Sequence, residues 1–191
     1  MAVMVLLGLQ GGAHADFYNN APYTSHWKNY GNGKCLSVLS EAAVPGAAVD
    51  QYKCKNAAAQ EWEETVAIKI TDNRSGGCNC IYSVYLWPNH NGGNCMALAN
   101  RSGANGTPVV TAPCNIRDET QWWHVGPSLV GRSGAFGSNN RWLIQNYGTG
   151  KCLDVSNGSN SNELPMQIWD CNSNTLNQTW AADSGPKVHF P

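Results

Sequence analysis

The chain has 191 residues, with 12 Lys and Arg against 13 Asp and Glu, and a charged fraction of 13%. That fraction is about half of what soluble domains carry, and with no basic stripe, arginine cluster or aromatic-interleaved basic run it argues against a nucleic-acid partner. The length suits one domain with its own core, and abundant Gly, Asn, Ser and Trp without helix-forming charged runs predict many short strands joined by turns.

The first segment, MAVMVLLGLQGGAHA, is apolar from Ala2 to Leu9 and ends in Ala13-His14-Ala15, a small-x-small pattern of the kind signal peptidases read. Residues 1–15 are therefore expected to be an export signal, and the product secreted. The basic residues that normally open such a signal are absent, so either the start lies upstream of Met1 or the stretch is an apolar tail. The run is well short of the roughly 20 residues a bilayer span needs, and membrane insertion is not expected. Eight cysteines in an exported chain read as disulfides.

Residues 16–191 are expected to form a single domain. Three cysteine pairs, Cys35 with Cys54, Cys95 with Cys114 and Cys152 with Cys171, are each separated by 19 positions. Each pair is followed by Gln-x-Trp: Gln60 to Trp62, Gln121 to Trp123, Gln178 to Trp180. Counted from the first cysteine of each copy, Asn29, Asn89 and Asn146 share a column, as do Gly33, Gly93 and Gly150. Leu36, Met96 and Leu153, then Val38, Leu98 and Val155, give the period-two alternation of a half-buried strand after a glycine turn. Val49, Val109 and Met166 begin a second strand, opened by Pro108 and Pro165 in two of the copies. A unit with one apolar face cannot bury it alone, so three units, at about 24–66, 80–126 and 141–184, are expected to pack around a pseudo-threefold axis. Trp62, Trp123 and Trp180 are then core residues.

The connectors are long enough to hold further strands. Val66 to Ile70, Ile81 to Trp87, Ser128 to Val130 and Arg141 to Ile144 are predicted, separated by turns over Asn73 to Gly77 and Gly131 to Asn140. Cys78 and Cys80 stand outside the threefold scheme. A metal site is disfavoured, because no companion Cys or His cluster supplies further ligands; a tight Cys78 to Cys80 bond and intermolecular pairing both remain open.

Cys-Leu-Asp-Val at 152 to 155, Met-Gln-Ile-Trp-Asp-Cys at 166 to 171 and Asn-Gln-Thr-Trp at 177 to 180 make the chain resemble the ricin-type β-trefoil lectins, from about Tyr23 to Ala182. The resemblance implies an all-β β-trefoil of three four-stranded pseudo-repeats, with a shallow sugar pocket in each unit at most. Carried over by position, the pocket of the third copy comprises Asp154, Gln167, Trp169 and Asn177, with Gln178 beside them. A carboxylate accepts charge-assisted hydrogen bonds from sugar hydroxyls, amides donate and accept, and an indole covers the apolar face of a pyranose. Trp169 is expected to face outward, because its neighbour Ile168 is the residue that should point to the core.

The first copy has Ser37 in place of the aspartate and Ala59 in place of the asparagine, but carries Asp50 and Tyr52, a weak second site at best. The second has Ala97, Val110, Ala112 and Thr120, and is expected to be structural. No Gly-x-Ser-x-Gly, His-Glu-x-x-His or phosphate loop occurs, and the paired cysteines are consumed structurally, so no enzyme activity, cofactor or metal is expected. The function this points to is a secreted carbohydrate-binding lectin, taking galactose-like sugars by family analogy, with glycans or polysaccharide as its partners. The alternatives are a docking subunit for a toxin or glycoside hydrolase chain and, third, a protease inhibitor acting through a loop. The Asn-x-Thr sequon at Asn177 would place any attached glycan over the proposed pocket.

Overall fold

Alternating side-chain faces after each first cysteine should give paired strands, and they do. The structure, a computed structural model, describes residues 13–18, 23–72, 80–126 and 141–183. Strand β1 (Ala13–Tyr18) precedes a first unit of β2 (Tyr23–Asn29), β3 (Cys35–Val38), β4 (Val49–Tyr52) and β5 (Trp62–Glu64). Strand β6 (Val66–Asp72) leads into a second unit of β7 (Cys80–Leu86), β8 (Cys95–Leu98), β9 (Val109–Ala112) and β10 (Trp123–Gly126). The third unit holds β11 (Leu143–Asn146), β12 (Cys152–Asp154), a two-residue β13 (Leu164–Pro165), β14 (Gln167–Trp169) and β15 (Trp180–Asp183). Short 3-10 turns are the only helical elements among the described residues, and none of them is long enough to cross a membrane. The architecture is all-β in three units, as the repeats predict, and is the β-trefoil that the resemblance implies.

The recurring columns each have one job. Gly33, Gly93 and Gly150 take φ of 72°, 65° and 69°, a left-handed turn that glycine enters without a Cβ penalty. Each donates its N–H to the carbonyl of the asparagine opening its copy, at 2.9, 2.9 and 2.8 Å. The disulfides Cys35–Cys54, Cys95–Cys114 and Cys152–Cys171 all form, with Cα separations of 5.0, 4.9 and 5.0 Å. In the chain-entropy account each closed loop contributes about 3 kcal/mol.

Each Gln-x-Trp divides its labour. Gln60, Gln121 and Gln178 accept from the backbone N–H of Lys55, Asn115 and Asn172, and donate to the carbonyls of Lys53, Pro113 and Asp170. This clips the loop after the second cysteine back onto its unit. Trp62, Trp123 and Trp180 are fully buried, and their indole N–H groups donate to the carbonyls of Leu36, Met96 and Leu153 at 3.2, 2.9 and 3.3 Å. Around them lie the paired columns Leu36, Met96, Leu153 and Val49, Val109, Met166, all buried.

The asparagine column joins unit to unit. Asn29, Asn89 and Asn146 stand opposite Trp180, Trp62 and Trp123 of the preceding unit around the axis. The Asn146 amide reaches the carbonyls of Glu119, Thr120 and Trp122, and the Asn29 amide those of Leu176, Asn177 and Thr179. Since removing a buried donor leaves acceptors unpaired at about 1–3 kcal/mol, Asn146→Ala is expected to lower the unfolding free energy by roughly 2–3 kcal/mol in urea titrations. An unchanged midpoint would show that the seam is held by packing alone.

The connectors differ in detail from expectation. The two strands predicted after the first unit form a seven-residue antiparallel hairpin, β6 with β7, from Val66↔Leu86 to Asp72↔Cys80. The strand expected from Arg141 starts later, at Leu143, because Trp142 instead makes an isolated bridge to Trp180. Strand β1 was not foreseen: it pairs with β6 from Ala13↔Asp72 to Tyr18↔Ala67, so Ala13, His14 and Ala15 sit in a strand. Residues 1–12 of the expected export segment, the turn at 73–77, Cys78, the strand at 128–130 and the turn at 131–140 lie outside the described residues.

Candidate functional site

Strands β12 and β14 pair with Asp154 opposite Gln167, Leu153 opposite Ile168 and Cys152 opposite Trp169. Because neighbouring side chains alternate, Leu153 and Ile168 go fully into the core while Trp169 is left 43% exposed. Asp154, Gln167, Trp169, Asn177 and Gln178 all line one open cleft of about 440 Å³, together with Asp170, Asn172 and Thr175. The structure thus brings together the five residues that the sequence singled out.

Asp154 is at the floor of this cleft, 3% exposed. Its Oδ2 accepts from the Asn177 and Gln178 amides at 2.6 and 3.0 Å, and its Oδ1 accepts from Gln167 at 2.9 Å. Two donors occupy one oxygen and a single donor the other, so Oδ1 keeps a lone pair for a ligand hydroxyl. Three amides hold the carboxyl group in one orientation, and the outward ends of Gln167 and Asn177 flank it. Gln178 differs from the rest: it is 2% exposed and also ties Asp170 and Asn172 together, so it stands behind Asp154 rather than at the opening.

One lining residue of the cleft, Asp170, is braced from another unit, and this brace was not legible in the third copy alone. Asn105, from the second unit, donates to the Asp170 carboxyl at 2.7 Å and accepts from the Asp170 N–H at 3.0 Å. Next to it the Gly106 N–H donates to the carbonyl of Ile168, and the N–H of Ile168 to that of Thr107. Gly106 has φ of +85°, and a Cβ there would come within 4.0 Å of the Trp169 ring. The Lys151 ammonium, 2.5 Å from Asp170, and the Asn105 amide hold the exposed Asp170 carboxyl below its ordinary pKa. The only sequence signal for this brace is the turn-forming Asn105-Gly106, which is one of many in the chain.

The other two copies lack this constellation. In the second, Ala97 takes the place of the aspartate and is buried, with Val110 opposite it on β9 and Ala112 opposite Cys95. In the first, Ser37 pairs across the strands with Asp50, and Tyr52 lies two residues on. Asp50 and Tyr52 share a smaller cleft of about 180 Å³ with Glu41, Lys55 and Glu163.

These features agree with comparison to known proteins. Residues 130–190 match the model of the family described as ricin-type β-trefoil lectin domain-like. That match covers about a third of the chain, the part that holds the third unit. Among solved structures, the designed threefold-symmetric protein ThreeFoil is similar at a TM-score of 0.67 and 20% identity, over 84% of this chain and 98% of that one. The Macrolepiota procera ricin B-like lectin, solved in complex with lactose, is similar at 0.59 and 20%, over 84% and 94%. An exo-β-1,3-galactanase from Clostridium thermocellum is similar at 0.67 and 19%, over 86% of this chain but only 31% of the enzyme. At these identities the likeness is one of fold, and the matched lectin-like segment is the part of the chain that carries the Asp154 cleft.

Proposed function

We propose that this chain is a secreted, non-enzymatic carbohydrate-binding protein that holds a galactose-type sugar in the cleft of its third unit. The observation that carries the reading is the Asp154 carboxyl group, oriented by three amides beneath an exposed Trp169, in one unit and not in the other two. A pyranose laid with its C–H face on the indole would place two ring hydroxyls at Asp154 and at the Asn177 and Gln167 amides. The lactose-bound lectin of similar fold supports a β-galactoside as the first ligand to try. Three disulfides support life outside the cell, where such bonds persist.

Affinity for one sugar is expected to be low. A hexose of about twelve non-hydrogen atoms, at about −0.3 kcal/mol each, reaches about −4 kcal/mol, or a Kd near 1 mM. Clustered glycans or repeated copies would then provide avidity. A glycan array probed with the wild type and Asp154→Ala tests the proposal: galactosides should give the signal, and the substitution should remove it. No sugar signal from a folded wild type would sink this reading. It would favour the second one, a docking module for an enzyme or toxin chain, which draws support from the galactanase of which this fold spans under a third.

A further inference from the structure

The first unit's cleft is built from different chemistry. Its floor is Asp50, 1% exposed, whose Oδ1 has no hydrogen-bond partner among the described residues. The Ser37 side chain is hydrogen-bonded to the same carboxyl group from across the strand pair. Two more carboxyl groups line the cleft, Glu41 from the turn after β3 and Glu163 from the third unit. Glu163 is fixed there by its backbone, with φ of 58° and its N–H donating to the Gln51 carbonyl at 2.9 Å. Among the described residues one cation lines the cleft with these three acids: Lys55, whose ammonium lies 5.0 Å above the centre of the Tyr52 ring and pairs with Glu41.

An aromatic face, surrounding carboxylates and an ammonium held between them is how a protein recognises an amine. Here the amine is the protein's own, on a flexible and part-exposed stem, and it leaves the cleft with two negative charges in excess when all four groups are ionised. Asp50, the deepest acid, keeps an unused acceptor. A neutral sugar gains little from that arrangement, since no amide triad orients Asp50 as one orients Asp154, and Ala59 stands where Asn177 does. Building on the carbohydrate-binding reading, we infer that the first-unit cleft binds the protonated amino group of an amino sugar, as in a de-N-acetylated hexosamine chain, and is a second site of different specificity from the third-unit cleft. The ammonium of the sugar replaces that of Lys55 over Tyr52 and reaches Asp50 and Glu163, while Ser37 and Ser40 meet hydroxyl groups.

A dependence on pH follows from the same geometry. Burial first, and the Glu163 charge second, raise the Asp50 carboxyl to about 6, against smaller opposing effects of Ser37 and Lys55. Asp50 therefore gains its charge between pH 5 and 7, and amine binding strengthens over the part of that interval in which the sugar amine stays protonated.

The test is titration of the glucosamine trimer into the Trp169→Ala protein, which isolates the first site, with the N-acetylated trimer and trilysine as controls. The glucosamine trimer should bind at pH 6.5 and at least threefold more weakly at pH 5, with both controls at least tenfold weaker at pH 6.5. Asp50→Asn should cost tenfold or more and abolish the pH dependence; if it does not fold, Glu163→Gln in the exposed loop should cost at least threefold. No binding of the glucosamine trimer, equal binding of either control, or indifference to both substitutions would overturn the inference. Galactoside binding by the wild type, measured in parallel, reports on the third-unit cleft separately.

Discussion

Replacing Trp169 by alanine is expected to weaken galactoside binding about thirtyfold while leaving the melting temperature nearly unchanged. The ring is 43% exposed in the free protein, and Ile168 beside it, not Trp169, fills the core. Little folding energy therefore depends on the indole, whereas a stacked sugar face covers apolar area worth about 2 kcal/mol of binding. Gln178→Ala should behave in the opposite way. Its amide accepts from Asn172, donates to the Asp170 carbonyl and supports Asp154, so its loss leaves buried groups unpaired and is expected to cost roughly 2–4 kcal/mol of stability. Calorimetric titration with lactose alongside thermal melts reads both effects. If Trp169→Ala destabilises the fold as much as Gln178→Ala, the ring is a packing residue and the cleft loses its stacking face.

Raising the pH from about 5 to 8 is expected to destabilise the folded protein, and Glu64 is the main reason. This side chain, on β5 two residues after the Gln-x-Trp tryptophan, is 6% exposed, and burial raises its carboxyl from 4.5 to about 7. The folded state thus holds a proton that the unfolded chain releases from about pH 4.5 upward. The stabilisation is complete below the unfolded value and is lost as the pH rises through the folded one. A shift from 4.5 to about 7 corresponds to about 3 kcal/mol. Asp50, raised from 3.8 to about 6, acts in the same direction over a lower range. Urea midpoints at several pH values should fall for the wild type and stay much flatter for Glu64→Gln. At pH 8 the variant should be the more stable by about 3 kcal/mol. A variant less stable than the wild type at pH 8 would show that the charged Glu64 is well accommodated.

The strand alternation and the three cysteine offsets made the fold readable, because each copy repeats the same local instructions. Asn29, Asn89 and Asn146 could be seen as a column, yet what they do could not: their acceptors belong to the neighbouring unit, about 24 to 150 positions away along the chain. Strand β1 was missed for a related reason. Its partner, β6, lies in a connector that has no counterpart in the repeat pattern, and an apolar segment followed by small residues reads as an export signal whether or not its end is paired.

The candidate site divides along the same line. The sequence by itself determined the identity and spacing of Asp154, Gln167, Trp169, Asn177 and Gln178, since strand period and the half-turn before Trp180 are local properties. Only the tertiary structure decided that Gln178 works from behind Asp154, that Asn105 of the second unit braces Asp170 in the cleft, and that Glu163 of the third unit reaches the acidic cleft of the first. The last two are contacts between units turned about a pseudo-threefold axis. Each sets a loop of one copy against the disulfide-clipped strand pair of the next, β12 with β14 or β3 with β4, a relation fixed by packing around a shared core and not by neighbours in the chain.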